Sequence, residues 1–170
     1  MTLMKLEERH KALFEDMMKD WRDSGTKIYP GAIRKEYEHF SDLIDCLYNG
    51  EPEPGKVPSD TYVCMDDERG ILVGAVSIRR YLNAPLLFSG GHIGDGVRPS
   101  ERNKGIATRM IGMALEKCRE RGIDRVLITC EKENIASART IIKNGGVLEN
   151  EVTEEDGTVI QRYWIENPCG

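Results

Sequence analysis

The stretch "GGHIGDGVRPSERNKGIATRMIGMALEKCRERG", from Gly90 to Gly122, constrains this chain more than any other part of it. Its first third is glycine-rich and extended as far as Val97, and Pro99 ends it, because proline pushes the preceding residue out of the helical region. From about Asn103 to Arg121, Ala107, Ile111, Ala114, Leu115 and Cys118 fall on one apolar stripe, and Gly122 stops the helix they define. A strand that reopens as a helix within a few residues leaves backbone N–H groups uncovered at the helix start. Those amides, together with the helix dipole, attract anions. Arg98, Arg102, Lys104 and Arg109 crowd the same turn, although the chain carries a formal net charge of −5. Gly105 lets the backbone approach a ligand with no Cβ in the way. A phosphate-bearing ligand fits this pattern, and an exposed, solvated basic turn is the competing reading.

Two other phosphate loops fail on spacing. A G-x-G-x-x-G fingerprint begun at Gly94 and Gly96 meets Pro99 in place of its third glycine. A P-loop needs G-K-[ST], whereas Lys104-Gly105-Ile106 reverses the order and has no hydroxyl.

Apolar residues at helical spacing predict helices over about 5–23 and 33–48, followed by a loop, "NGEPEPGKVPSD", in which prolines and glycines preclude regular structure. "TYVCMDDERGILVGAVSIRRYL" reads as an antiparallel hairpin turning at Asp66–Gly70. "RVLITC" is a buried strand, residues 134–144 are helical, and Asp156-Gly157 turns a last hairpin. The fold class expected is mixed α/β (α+β): a mostly antiparallel sheet with a β–α–β core, flanked by helices. In that core the Val97 strand and "RVLITC" are expected side by side through a right-handed crossover.

At 170 residues, 39% hydrophobic and 31% charged, the chain suits one domain over 1–170 with a real core. No apolar run reaches the roughly 18 residues that span a bilayer, and the charged N-terminus lacks a signal-peptide core, so a cytoplasmic protein with no membrane partner is expected. Cys46, Cys64, Cys118, Cys130 and Cys169 form no C-x-x-C pair, and His10, His39 and His92 no H-E-x-x-H, which argues against disulfides and against a metal site. The acidic balance disfavours nucleic acid and tolerates cationic small molecules or peptides.

Arg102-x-x-Gly105-x-Ala107 resembles the R/Q-x-x-G-x-G/A signature of the GNAT N-acetyltransferases. The order of strands and helices over roughly 60–165, with Asn134-x-x-Ser137-Ala138 opening the late helix, is similar too. The two blocks "GGHIG.GVRPSER.KG.AT" and "LITC…N.AS…I.KNGGVLENEV" look like a bacterial branch of that family. The resemblance implies acetyl-CoA as cosubstrate and no metal. Its diphosphate would lie on the loop Arg102, Asn103, Lys104, Gly105, Ile106 and Ala107, beside Arg98. The backbone at Val97 would pair with the pantetheine arm, as an added strand does. Asn134, with Ser137, would meet the cofactor arm, or Asn134 simply caps its helix. Residues 1–50 would cover the acceptor site, where Trp21, Tyr29, Tyr37, Tyr62 and Tyr81 supply aromatic candidates.

What the resemblance implies chemically is direct acetyl transfer to a primary amine of a small molecule or peptide, with an idle acyl-CoA-binding module as the alternative. A nucleotide-phosphate binder is a third possibility. Many family members carry a tyrosine acid seven residues after the asparagine; here that position is Ile141. The proton acceptor is expected on the glycine-rich strand, as Asp95 or His92, which alternate onto opposite faces. Cys130 is the one cysteine placed to act as a nucleophile, with core packing as the alternative. A monomer and a homodimer both remain open.

Overall fold

The computed structural model describes residues 1–168, so Cys169 lies outside the described residues. Four antiparallel strands form one sheet in chain order: β1 (Thr2–Met4), β2 (Ser59–Asp66), β3 (Ile71–Arg79) and β4 (Ile93–Val97). Three more, β5 (Arg125–Glu131), β6 (Val147–Thr153) and β7 (Val159–Glu166), form a second antiparallel sheet in the order β5-β7-β6. Helices α1 (Lys11–Ser24), α2 (Phe40–Tyr48), α3 (Ile106–Glu120) and α4 (Ile135–Lys143) complete the fold.

The hairpins lie where the turn residues place them: Gly70 and Gly157 adopt positive φ, which those tight turns require. The N-terminal helices are shorter than their periodicity suggests. Thr2–Met4 is drawn into the sheet beside Met65–Val63, and α1 starts only at Lys11, after a 3-10 turn at Glu8–His10. α2 starts at Phe40, where the Asp42 carboxylate accepts the His39 N–H; Pro30 and Gly31 confine the stretch before it to a single 3-10 turn. Three strand residues are too few to show alternation, so sequence alone could not separate β1 from the helix behind it.

The first sheet is covered on both faces. On one, Phe14, Met17 and Trp21 of α1 and Phe40 and Leu43 of α2 pack with Val63, Leu72 and Ala75. On the other, Met110, Ile111, Ala114 and Cys118 of α3 pack on Val76, Ile78 and Ile93, and the same cluster runs on into Val126, Ile128, Tyr163 and Ile165 of the second sheet. α3 is thus the apolar pillar that holds the two sheets together.

The expectation that β4 and β5 lie side by side in one sheet is corrected here. They belong to different sheets and meet at one end only. There the His92 N–H donates to the Leu127 carbonyl at 2.7 Å, and the Leu127 N–H donates to His92 Nδ1 at 3.0 Å. An imidazole nitrogen stands where a strand would offer a carbonyl, so the ladder cannot propagate beyond it. Gly91, at φ +67, allows the approach: a Cβ there would sit 2.8 Å from the Leu127 carbonyl. From this junction the strands splay apart.

His92 is buried, with its ring edge-on to Trp164, and burial beside Arg79 pushes its pKa down to about 4. A neutral ring is what the junction needs, since protonation removes the Nδ1 acceptor. The pKa falls on folding, so this contribution to stability is full above about pH 6.5 and is lost as pH drops from there towards 4. His92→Ala should cost about 1–3 kcal/mol at pH 7, the scale of a buried group left unpaired. Urea titrations across pH 4–7 should also show a flatter stability profile in the variant than in the wild type.

Candidate active site

Register decides which backbone groups look into the opening. Arg98 N–H donates to the Val73 carbonyl and Arg79 N–H to the His92 carbonyl, so the pairs 73–98, 75–96 and 77–94 point their amides and carbonyls at each other. The N–H and C=O of Ile93, Asp95 and Val97 therefore point to the free edge of β4. By the same count from Lys132 N–H to the Val159 carbonyl, Leu127, Thr129 and Glu131 turn theirs to the free edge of β5. Beyond the Leu127 junction, two largely unpaired strand edges thus face one another across a wedge; only the Glu131 carbonyl, which accepts the Asn134 N–H, and the Val97 carbonyl, which accepts Arg102 Nε, are engaged among the described residues. An unpaired edge is a template for any extended chain of amides.

The wedge opens towards the loop between β4 and α3. Gly105 takes φ +75 and starts α3, and Asn103 also has positive φ. Among the described residues, no protein acceptor receives the backbone N–H of any residue from Asn103 to Thr108. These amides belong to one turn and the first helical turn behind it, which is the arrangement that binds anions. Nothing lies within 4 Å of a Cβ built on Gly105, so its side chain would project into open space in front of the amides.

The loop's side chains divide into frame and mouth. Arg98, expected beside the ligand, is instead buried: its Nε donates to Asp20 at 2.9 Å and its Nη1 to Asp16 at 2.8 Å, both on α1. Asp20 also accepts the Ser100 N–H and hydroxyl. Glu101, likewise buried, takes a two-pronged contact from Arg69 and pairs with Lys104 at 3.1 Å. Arg102 is exposed, reaching the Val97 carbonyl at 3.2 Å and the Thr26 hydroxyl at 3.1 Å. Ile106 is buried in the α3 core and offers only its amide; Ala107 is half-buried. Nothing in the motif announced that Arg98 and Glu101 would be held by Asp16, Asp20 and Arg69, because those partners are distant in sequence.

Of the two proton-acceptor candidates, His92 is neutral and its Nδ1 lone pair is taken by Leu127. Asp95 pairs with Val76 in the register and so faces α3, between Ile93 and Val97. Removal from water pushes its pKa up to about 6, and no cation is there to pull it back. Asn134 caps α4, its side-chain oxygen accepting the Ser137 N–H at 3.1 Å. Ser137 lies within hydrogen-bond reach of Cys130, whose thiol burial pushes up, so Cys130 is a poor nucleophile. Ile141 is fully buried in the α3–α4 core.

The opposite face of β4 carries only glycines. A Cβ on Gly94 would touch the Arg79 guanidinium at 3.2 Å, and one on Gly96 would collide with the Tyr29 carbonyl. Trp21 and Tyr62 are core residues, Tyr37 is half-buried, and Tyr29 and Tyr81 are exposed.

Of the residues that the sequence singled out, those of the turn and of β4 border this wedge, whereas Arg98 lies in the frame behind it, Asn134 caps α4, and Trp21 and Tyr62 belong to the core. No curated protein matches the sequence closely enough to count. Among solved structures, a spermidine N-acetyltransferase chimera from Vibrio cholerae and hSSAT superposes with a TM-score of 0.66 at 18% identity, over 98% of this chain and 97% of that one. A ribosomal-protein-S5-alanine acetyltransferase from Vibrio fischeri gives 0.67 at 15% identity, over 97% and 92%. A ribosomal L7/L12 alpha-N-protein acetyltransferase in complex with coenzyme A gives 0.64 at 17%, over 99% and 94%. The description of the acetyltransferase (GNAT) domain matches residues 1–147, and the chain belongs to that family.

Proposed function

We propose that this protein transfers the acetyl group of acetyl-CoA directly to a primary amine. The observation that carries the reading is the continuity of the wedge with the amide-lined turn. The free edge of β4 runs from the His92 junction straight into six backbone N–H groups that have no protein partner among the described residues. A diphosphate on the turn places the arm behind it along β4. Its two amide groups then pair with the outward N–H and C=O of Asp95 and Val97, as an added strand would. That leaves the thioester deep in the wedge, short of the junction. The structural neighbours include acetyltransferases of spermidine and of ribosomal proteins, which is consistent with an amine here.

An outward N–H of β4 is positioned to stabilise the oxyanion that forms when the amine attacks the thioester carbonyl. Asp95 receives the amine's proton, directly or through one water. With a pKa near 6 it is mostly ionised at pH 7 yet a stronger base than an ordinary aspartate. His92 does not serve, since its acceptor nitrogen holds the strands. The CoA thiolate leaves without a tyrosine acid, and a thiol of pKa about 8.5 can do so. Ile141 in the acid's place also motivates the second reading, an idle acyl-CoA-binding module. Release of CoA thiol on mixing acetyl-CoA with a broad amine panel separates the two.

Asp95→Asn should lower kcat by about 10²-fold with CoA affinity unchanged, and the rise of kcat through about pH 6 should vanish with it. The same change should stabilise the fold. A carboxyl whose pKa rises on folding contributes most below about pH 4 and progressively less up to pH 6, so the ionised Asp95 is a burden at pH 7. Thermal unfolding at pH 7.5 should show Asp95→Asn more stable by about 1–3 kcal/mol, one pKa unit being about 1.4 kcal/mol.

Arg102→Ala should weaken CoA by about 1.5–3 kcal/mol, the worth of a hydrogen bond to a charged group, and leave phosphate-free pantetheine almost unaffected. Calorimetry with both ligands checks this; equal losses would place Arg102 in the fold instead of at the phosphate.

A further inference from the structure

On the side of β4 away from Asp95, the first sheet ends in a buried polar floor that the steps above do not use. Thr61 and Ser77 are buried there, and among the described residues their hydroxyls have no partner but each other, at 3.2 Å. Arg79 follows two residues along the same face of β3, and its guanidinium fills the space in front of Gly94, where a Cβ would meet both terminal nitrogens at 3.2 Å. No carboxylate lies within ion-pairing distance of it among the described residues. Its only hydrogen bonds run from Nη1 to the carbonyls of Gly90 and Gly91, both long at 3.3 and 3.4 Å. Burial alone lowers its pKa, with no opposing anion. Leaving such a charge uncompensated is costly, so a structure that keeps one beside a reaction centre invites an anion from outside.

The neighbouring position along β4 is covered by Tyr29, whose carbonyl abuts Gly96. Gly94 and Gly96 are two strand residues apart, about 7 Å. Lys27 Nζ lies 5.1 Å from the centre of the Tyr29 ring and the Arg34 guanidinium 6.0 Å from it. Neither cation has a carboxylate partner among the described residues. The same loop borders a hollow of about 500 Å³ whose charged lining is Arg22, Arg34 and Lys35 against the single carboxylate Glu36. Several other arginines, Arg69, Arg80, Arg98 and Arg121 among them, are paired with carboxylates, whereas Arg79 is withdrawn from water without one.

We propose that the acceptor is an amine that also carries an anionic group, a carboxylate or a phosphate, held by Arg79 over Gly94 and drawn in by Lys27 and Arg34. This rests on the acetyl-transfer reading and narrows its substrate class. Arg79 is a positioning residue: it holds the acceptor's far end so that the amine reaches the thioester through the wedge. A planar guanidinium suits either oxyanion through two parallel N–H donors, and glycine at 94 leaves the room for it.

The test uses paired probes on the full chain in the presence of CoA. Calorimetry compares L-methionine with its α-carboxamide and O-phosphoethanolamine with ethanolamine, and includes spermidine as a polycation. CoA release from acetyl-CoA is followed with the same set. The anionic member of at least one pair should bind ten-fold tighter or more than its neutral partner, and which pair shows this tells carboxylate from phosphate. In Arg79→Gln that ratio should fall to about two or less, in Arg79→Lys it should partly return, and in Lys27→Gln/Arg34→Gln, on the exposed rim, it should fall several-fold with the fold intact. The expected kinetic signature is a raised KM for the anionic amine with kcat little changed.

A preference for neutral amines overturns the proposal, as does one for spermidine, which would point to the acidic turn Glu154–Asp156 beside Phe88. So does a ratio unchanged in Arg79→Gln, or failure of every anionic amine to bind. Charge-selective binding that depends on Arg79 without any CoA release would sustain the anion site and sink the acetyl-transfer reading instead. Acetylation of polyamines alone would do the reverse.

Discussion

The two hydrogen bonds between His92 and Leu127 set the geometry on which the remainder of the molecule depends. A sheet grows because each strand edge offers alternating amides and carbonyls to the next. Substituting an imidazole nitrogen for one carbonyl stops that growth after a single residue pair while still fixing the strands in place. The result is a wedge with a rigid apex and two largely unsatisfied edges. The apex must be neutral, close and dry, and His92, Gly91 and Trp164 supply those conditions.

The open end of the wedge is held by charge instead of by apolar packing. Arg98 ties the end of β4 to Asp16 and Asp20 of α1, and Glu101 ties the turn to Arg69 of the first hairpin. Both pairs put one buried partner against one more exposed, so neither charge is stranded. With the side chains of the turn anchored behind it, the backbone amides of residues 103–108 are left facing outward. Preorganisation of this kind matters more for an anion than the count of nearby cations, because the donors need no rearrangement when it arrives. Lys104, half engaged with Glu101, can turn to a phosphate at modest cost.

β4 separates two chemically different sides. Its α3 side presents one desolvated carboxyl, Asp95, among apolar neighbours. Its α1 side has no side chains at Gly94 and Gly96, so Arg79 and Tyr29 approach the strand itself. The strict alternation of a strand puts Asp95 and the Arg79 guanidinium on opposite faces of the sheet. Glycine on one face is therefore what lets a five-residue strand present a carboxyl to one side and its bare backbone to the other.

Much of this was readable from residue order alone. Turn glycines, the apolar stripe of α3 and the Asp156-Gly157 hairpin specify local conformation through φ preference and periodicity, which act within a few residues. The amide-lined turn was legible for the same reason, since Pro99 and Gly105 fix where a strand stops and a helix starts. Sequence could not assign the partners of Arg98 and Glu101, because an ion pair across 78 or 32 residues leaves no local trace. Nor could it choose between Asp95 and His92. Both are single titratable side chains on one glycine-rich strand, and only packing decided that one is desolvated with no cation beside it while the other spends its lone pair on Leu127. The separation into two sheets was equally hidden, because a histidine in a strand looks like any other residue until the neighbouring edge arrives to meet it.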